Sequence, residues 1–491
     1  MNLSFASAFR IVGLILAVIG GSMLPSFVVS LIYDNSSVYI PFLITMLSSV
    51  AAGVFLLKIF QHDFKTLRVK DGFLVVTLCW FFSAAVGAVP FVVTGSIPNP
   101  IDAFFESCSG FSTTGASILT DVEVLPKGIL FWRSFTHWIG GMGILVFAIA
   151  LMPSLGISGQ NIAVTEAPGP IMDKTSAQMS KTAKTLYIMY LIFTVLEVIL
   201  LLFGGMSLFD ALVHTFGSVG TGGFSSYNDS VAHFNSTYIE VVIMVFMVLC
   251  GVNFNLYYLA FKDGISQLFK DSEFRFYLLI FGVSAILIAT VLFVTGKNDS
   301  IGGAAVDAAF QTASILTTTG YMSSDYEVWP FICQMILFFL MIVGGCSSST
   351  SGGLKAIRIL IISKLIRRGI SLRLHPNVIE TVKLDGKKLQ GDTVSSIANH
   401  FFLYILMVFA GTFLISFENE SLITSLSSVV TCLGNVGPGF GSIGPTENFA
   451  HLTLFSKGIL SVYMLAGRLE LYPLFILLTL PRIFLGSSGS G

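Results

Sequence analysis

Charge is what this chain lacks. Only 11% of its 491 residues are Asp, Glu, Lys or Arg, against 54% hydrophobic, whereas soluble globular domains carry about 25% charged residues. The deficit excludes an ordinary soluble enzyme and indicates a polytopic membrane protein. A net charge of −1 and the lack of a basic low-complexity tract leave no footprint for nucleic acid. Cysteine is sparse and scattered. Cys79, Cys108, Cys250, Cys333, Cys346 and Cys432 form no CxxC pair and no metal-ligand spacing, so they read as small core residues. Among seven histidines there is no HExxH, and no paired His/Asp cluster supports a membrane enzyme built on His137, His214 or His233 as metal ligands. SGGLKA, at 351–356, lacks the spacing of a Walker loop and the strand before it.

Long apolar runs are plentiful instead. Stretches that suit a crossing helix of about 20 residues lie near 11–33, 38–60, 72–96, 127–152, 183–205, 236–262, 274–296, 328–345, 397–417 and 453–484. Only Arg10 precedes the first run, and a second run follows at once, so it reads as a retained helix rather than a cleaved signal. Shorter runs near 102–112, 210–219, 307–316 and 424–433 cannot span and suit re-entrant half-helices. Lys65, Arg68 and Lys70, then Lys174, Lys181 and Lys184, then Lys355, Arg358, Lys364, Arg367, Arg368, Arg373, Lys383, Lys387 and Lys388 fall on one side when the spans alternate. That side is the cytoplasm, with the N-terminus on it. Asp121, Glu123, Asp229, Asp325, Glu327, Glu418, Glu420 and Glu447 fall on the other. Singly they read as solvated loop residues; together they make a mildly negative outer mouth that concentrates cations.

The short runs repeat. DAFFESCSGFSTTGA (102–116), DALVHTFGSVGTGGF (210–224), DAAFQTASILTTTGY (307–321) and TSLSSVVTCLGNVGP (424–438) each reach a glycine at the same offset: Gly115, Gly223, Gly320 and Gly437. The chain therefore divides into two leading helices (1–71), four helix–half-helix–loop–helix repeats (72–180, 181–272, 273–392 and 393–485) and a Gly/Ser tail (486–491). The expected fold is an all-α polytopic membrane protein, with the repeats arranged around one pseudo-fourfold pore. Asp102, Asp210, Asp307 and Thr424 read as helix N-caps. The loops that follow are non-helical backbone at membrane depth, tolerable only when buried in protein or lining water. Their residues are Ser112, Thr113, Thr114 and Gly115; Gly220, Thr221, Gly222 and Gly223; Thr317, Thr318, Thr319 and Gly320; Gly434, Asn435, Val436 and Gly437. Glycine reaches φ > 0, so carbonyls can be turned to replace the water around a cation, while hydroxyls add oxygens or brace the loop. None of these positions is charged, which argues against a carboxylate ring for divalent ions.

GGCSSSTSGG, spanning Gly344, Gly345, Cys346, Ser347, Ser348, Ser349, Thr350, Ser351, Gly352 and Gly353, interrupts the second span of the third repeat. It is either a cytoplasmic linker or a flexible intramembrane loop that blocks the pore below the filter. Arg468 lies midway along the last run, where a cation is costly without water or a partner. It is either a member of a buried ion pair holding helices or a barrier facing the pore that limits ion flow or anchors the loop. Glu470 does not share its helical face. Asn253, Asn255, His137, Glu197 and His400 read as interhelical hydrogen-bond partners. The basic 355–391 segment carries the positive-inside signature and also suits a partner or lipid headgroups.

The strings STTG, GTGGF, TTTGY and NVGPGFG resemble those of the Trk/Ktr/HKT superfamily of potassium and sodium transporters, over essentially the whole chain. The resemblance implies K⁺ uptake, filter glycines at Gly115, Gly223, Gly320 and Gly437, a gating loop at 344–353 and a constricting arginine at Arg468. It implies a bacterial cytoplasmic membrane location and a homodimer with one pore per subunit. It also implies a cytosolic ring of TrkA-type subunits that binds NAD(H) and ATP or ADP, so that no cofactor is held by this chain. Glycine in every repeat is similar to the K⁺-permissive members, and Val436 and Pro438 make the fourth loop the least like its siblings. An ion-coupled K⁺ symporter is the alternative. One glycine per loop gives a short filter and implies moderate selectivity.

Overall fold

Close backbone contact sets the first packing. In the computed structural model, which describes residues 5–60, 69–143, 176–298, 300–378, 380–473 and 475, helix α1 (Phe5–Ser22) lies along α3 (Ser36–Ile59). A Cβ on Gly13 would stand 2.8 Å from Leu56 Cβ and 2.9 Å from the Gly53 carbonyl, so the two backbones touch through small residues as helices in lipid do. Helix α2 (Leu24–Tyr33) continues α1 after a break at Met23, with Pro25 in its first turn. Asp34 then accepts from the Lys127 and Gly128 amides at 3.0 and 2.8 Å, fastening the leading pair to the first repeat.

Four units follow. The first is α4 (Val69–Val93), α5 (Pro100–Phe111) and α6 (Lys127–Gly141). The second is α7 (Ser176–Phe203), α8 (Leu208–Val219), α9 (Thr237–Cys250) and α10 (Phe254–Asp263). The third is α11 (Ser272–Val294), α12 (Ile301–Leu316), α13 (Phe331–Val343) and α14 (Ala356–Leu374). The fourth is α15 (Gly391–Ile415), α16 (Leu422–Gly434) and α17 (Leu454–Arg468). In each, a long helix precedes a half-helix (α5, α8, α12 or α16). The half-helices form the most buried part of the molecule: Ser107, Cys108, Ser109, Phe111, Ser112, Thr113 and Thr114 are wholly inaccessible. All six cysteines are buried, as small core residues should be.

Two expectations need correction. The half-helix caps are Asn99, Ser207, Ser300 and Ser421, whose side chains accept from the amides of Ile101, Asp210, Gly303 and Thr424. Asp102, Asp210 and Thr424 sit inside the first turn and Asp307 deeper still, because each half-helix begins further out than its apolar run. They tie the half-helix to its surroundings: Asp102 pairs with Lys457 at 2.9 Å, Asp210 accepts from Ser226, and Asp307 accepts from Asn298.

Secondly, not all ten runs fold as single unbroken helices. Among the described residues six spans are long and apolar enough to cross a membrane, those in α1–α2, α3, α4, α7, α11 and α15. The helices after the half-helix loops are broken or short. α9 and α10 meet at 87° around Gly251, α13 and α14 are separated by 344–355, and α17 stops at Arg468, where Glu470 and Leu471 take φ of 57° and 66°. The runs 127–152 and 453–484 extend beyond the described residues, as do Lys65, Arg68, Lys174 and the Gly/Ser tail. A two-residue hairpin pairs Lys383 with Lys388 and Leu384 with Lys387 around an Asp385–Gly386 turn, the one sheet among the described residues.

Candidate ion pathway and gate

Each half-helix ends in the same way. The amides of Thr114, Gly222, Thr319 and Val436 reach back to the carbonyls of Ser109, Gly217, Ser314 and Thr431 at 2.7 to 2.9 Å. The preceding residues, Thr113, Thr221, Thr318 and Asn435, take left-handed φ of 53° to 56°. This is a Schellman termination, but with threonine in three of the four positions where glycine is usual. A β-branched residue at φ > 0 is strained, and such strain persists where the surroundings enforce it. Two residues further on, Gly115, Gly223, Gly320 and Gly437 take φ of 81°, 78°, 83° and 103°. The fourth loop thus keeps the backbone of its siblings despite Val436 and Pro438.

The loops close on one another. A Cβ on Gly115 would collide with the carbonyl oxygen of Gly222, one on Gly223 with that of Thr319, and one on Gly320 with that of Val436; one on Gly437 would stand 2.6 Å from that of Thr114. The order runs from repeat one through four and back to one, so four glycines and four carbonyls form a closed ring. It is narrow: the same Gly115 Cβ would lie 3.7 Å from the Thr319 carbonyl oxygen, in the loop two repeats on. Hydroxyls brace it. Ser112 bonds Thr114 and Thr317 bonds Thr319, each at 2.7 Å, and Asn435 donates to Thr114 at 3.0 Å. All four glycines line a polar recess of about 140 Å³ together with Ser117, Ser225, Asn228 and Glu447. Several of the loop acids brace loops rather than standing free: Asp121 and Glu123 accept from Asn228, and Glu420 from Ser442. Glu327 accepts from the Gly441 amide at 2.7 Å; burial pushes its carboxyl above the ordinary value, against that hydrogen bond.

Segment 344–353 lies against the half-helix ends. The amides of Cys346 and Thr350 donate to the carbonyls of Gly251 and Cys250, which the α9–α10 break has freed, at 2.8 and 3.4 Å. The Gly352 amide donates to Thr318 Oγ1 at 2.6 Å. The linker reading of this segment is therefore corrected: it is buried inside the bundle, with Cys346 and Thr350 wholly inaccessible. Arg468 donates to the Thr350 carbonyl at 2.7 Å and to those of Gly140 and Gly141, at the end of α6, at 2.5 and 2.7 Å. Its guanidinium thus joins three helix breaks.

The chain's relatives bear on what such a ring serves. Residues 41–484 match the family described as TrkH, cation transport protein. The chain belongs to the TrkH family. It is 34% identical to the Trk system potassium uptake protein TrkH of Halomonas elongata, over 97% of this chain and 99% of that one. It is 35% identical to the protein of that name from Escherichia coli K12, over 97% and 98%. The crystal structure of the potassium transporter TrkH from Vibrio parahaemolyticus superposes with a TM-score of 0.86 at 33% identity, covering 98% of this chain and 99% of that one.

In this TrkH-family chain, sequence reasoning missed several supporting residues. Glu106 accepts from Arg133 at 2.5 Å, from Ser117 Oγ at 3.0 Å and from the Ile118 amide at 3.0 Å. Arg133 lies 3.5 Å over the Phe224 ring and donates to the Ser225 carbonyl, so the pair couples the first loop to the second. Glu106→Gln should destabilise the fold by about 3 to 5 kcal/mol, the cost of leaving one member of a buried ion pair uncompensated; thermal unfolding of the purified protein reads it as a lowered Tm. Glu273 takes the Ser347 amide and hydroxyl at 2.6 Å each and the Ile357 amide at 3.2 Å, tying the 344–353 segment to the start of α14. Glu470 pairs with Arg358.

Of the polar residues read as interhelical partners, His137 bonds the Gly110 carbonyl at 2.8 Å and backs Gly222, where a Cβ would strike its ring. Glu197 accepts from Ser218 at 2.5 Å, and His400 stands beside Tyr472. Asn253 instead caps α10 through the Asn255 amide. His214 bonds the Asp210 carbonyl and Ser225, and His233 stacks on Tyr227.

Proposed function

We propose that this chain takes up K⁺ across the bacterial cytoplasmic membrane through a gated, channel-like pore, preferring K⁺ and Rb⁺ to Na⁺ and Li⁺. The observation that carries the proposal is the cyclic approach of Gly115, Gly223, Gly320 and Gly437 to the carbonyls of Gly222, Thr319, Val436 and Thr114. Uncharged oxygens in a ring can replace the hydration shell of an alkali cation. The four half-helices direct their C-terminal ends, with their partial negative charge, toward that ring. Membrane potential suffices as the driving force: each 100 mV contributes about 2.3 kcal/mol per cation, roughly a 50-fold accumulation. The relatives' names speak of a Trk system, which fits regulation by companion subunits. In this reading the chain is a homodimer with a cytoplasmic N-terminus. A TrkA-type NAD(H)/ATP-binding ring docks on its basic inner face, and segment 344–353 is the gate on which that ring acts. The transported K⁺ is the substrate, and the chain is a transporter rather than an enzyme.

The test is cation flux into proteoliposomes holding the purified chain under an imposed potential. K⁺ and Rb⁺ should enter well ahead of Na⁺ and Li⁺ without a co-ion gradient. Uptake that requires a Na⁺ or H⁺ gradient would replace the pore with coupled symport. Deleting 345–350 should raise K⁺ flux in the absence of any partner; unchanged or lower flux in a folded variant would overturn the gate.

A further inference from the structure

The gate segment touches the filter loops at Gly352, and that residue sits among oxygens. The Gly352 amide donates to Thr318 Oγ1 at 2.6 Å. A Cβ on Gly352 would collide with the Gly434 carbonyl oxygen and lie 2.8 Å from Asn435 Cβ and 3.1 Å from Asn435 Oδ1. Gly352 therefore fills a notch whose walls are a hydroxyl of the third loop and a carbonyl and an amide oxygen of the fourth. Of these, Asn435 Oδ1 is wholly buried and has no hydrogen-bond partner. Its orientation is fixed by chemistry: the other end of the amide faces the Met464 carbonyl at 2.8 Å, which can only accept. A buried amide oxygen without a donor costs about 1 to 3 kcal/mol, so its retention calls for a function.

We propose that Thr318 Oγ1, Gly434 O and Asn435 Oδ1 form an inner alkali-cation site, occupied in this conformation by Gly352 of the gate segment. The Gly352 N–H presents a small positive pole to Thr318, where the ion's full charge stands once the segment moves aside. The donor set suits a K⁺-sized monovalent ion rather than Mg²⁺ or Ca²⁺, because it holds no carboxylate. Gate and cation then compete for one notch, and an ion arriving from the cytoplasmic side opposes closure. Thr318 and Asn435 occupy equivalent left-handed positions in their loops. The corresponding Thr221 bonds the carbonyl of its neighbour Gly220 instead, while Thr113 Oγ1, its equivalent in the first loop, is buried without a partner. The proposal rests on the reading of 344–353 as a gate.

Two measurements on the full-length chain test it. In planar bilayers, open dwell time should lengthen by about tenfold as cytoplasmic K⁺ or Rb⁺ replaces a large organic cation, the effect of about 1.4 kcal/mol; Li⁺ should fail to do so. In parallel, cytoplasmic K⁺ should speed labelling of the buried Cys346 by a small maleimide, read by peptide mass spectrometry. Thr318→Val should abolish both dependences and Thr318→Ser should retain them. Selective K⁺ current whose dwell times and Cys346 labelling ignore cytoplasmic K⁺ would overturn the inner site and leave the pore standing. Absence of any K⁺-selective current in the unmodified chain would overturn the pore reading itself.

Discussion

Gly115→Ser should cut the preference for K⁺ over Na⁺ by about tenfold, equivalent to about 1.4 kcal/mol of lost discrimination. Two effects add. At φ of 81° any side chain is strained, by about 1 to 2 kcal/mol. The new Cβ also has no room, since it meets the backbone oxygen of Gly222, which belongs to the ring and cannot swing away like a side-chain tip. Either Gly222 or the Gly115 loop must retreat, the carbonyls no longer surround K⁺ evenly, and the advantage of K⁺ over Na⁺ falls. Gly95→Ser is the matched control: Gly95 has φ of 74° and nothing within 4 Å of its would-be Cβ, so it carries the strain without the collision. Reversal potentials under K⁺/Na⁺ gradients decide the matter. Equal ratios in the two variants would remove Gly115 from the ion's path.

The positions of the four loops were legible because the pattern is local. An apolar run too short to cross, followed by glycine at a constant offset, reports a half-helix and its turn without any knowledge of packing. Their convergence was inferred from the repeat. The breaks after the loops were legible only at GGCSSSTSGG, where ten small residues interrupt an apolar run. At Gly251 and Gly467 the interruption is a single glycine in an otherwise helical sequence, which hydropathy does not register. The missed signal was the close approach these glycines permit: a Cβ on Gly251 would stand 2.9 Å from Thr317 Cγ2, and one on Gly467 would strike the Leu433 carbonyl, both at half-helix ends. The caps were misplaced because an aspartate inside the first turn and a serine before it both satisfy the same preference for the positive end of a helix. Long-range partners such as Glu273 with Ser347, or Arg358 with Glu470, are separated by 74 and 112 residues. No local pattern encodes such pairs. Glu273 reads in sequence only as an acid at the start of a span.

Arg468→Met should raise K⁺ flux through the chain alone by roughly a hundredfold, the ratio given by about 2.8 kcal/mol. The guanidinium gathers the carbonyls of Thr350, Gly140 and Gly141, one on segment 344–353 and two at the end of α6. Hydrogen bonds from a charged donor contribute about 1.5 to 3 kcal/mol each, and methionine fills similar space while donating none. The conformation that brings these carbonyls together therefore loses its clasp, while the ring above it, made by other residues, keeps its selectivity. Loss of positive charge would by itself ease cation passage, so Met alone cannot separate an electrostatic barrier from a clasp. Arg468→Lys separates them. Lysine keeps the charge but is a compact point donor without the planar fork that reaches two helix breaks at once. A clasp predicts that Lys behaves like Met, with high flux and unchanged K⁺/Na⁺ ratio. A pure barrier predicts that Lys behaves like the parent, and that result would leave segment 344–353 held by the contacts with Glu273, Cys250 and Gly251.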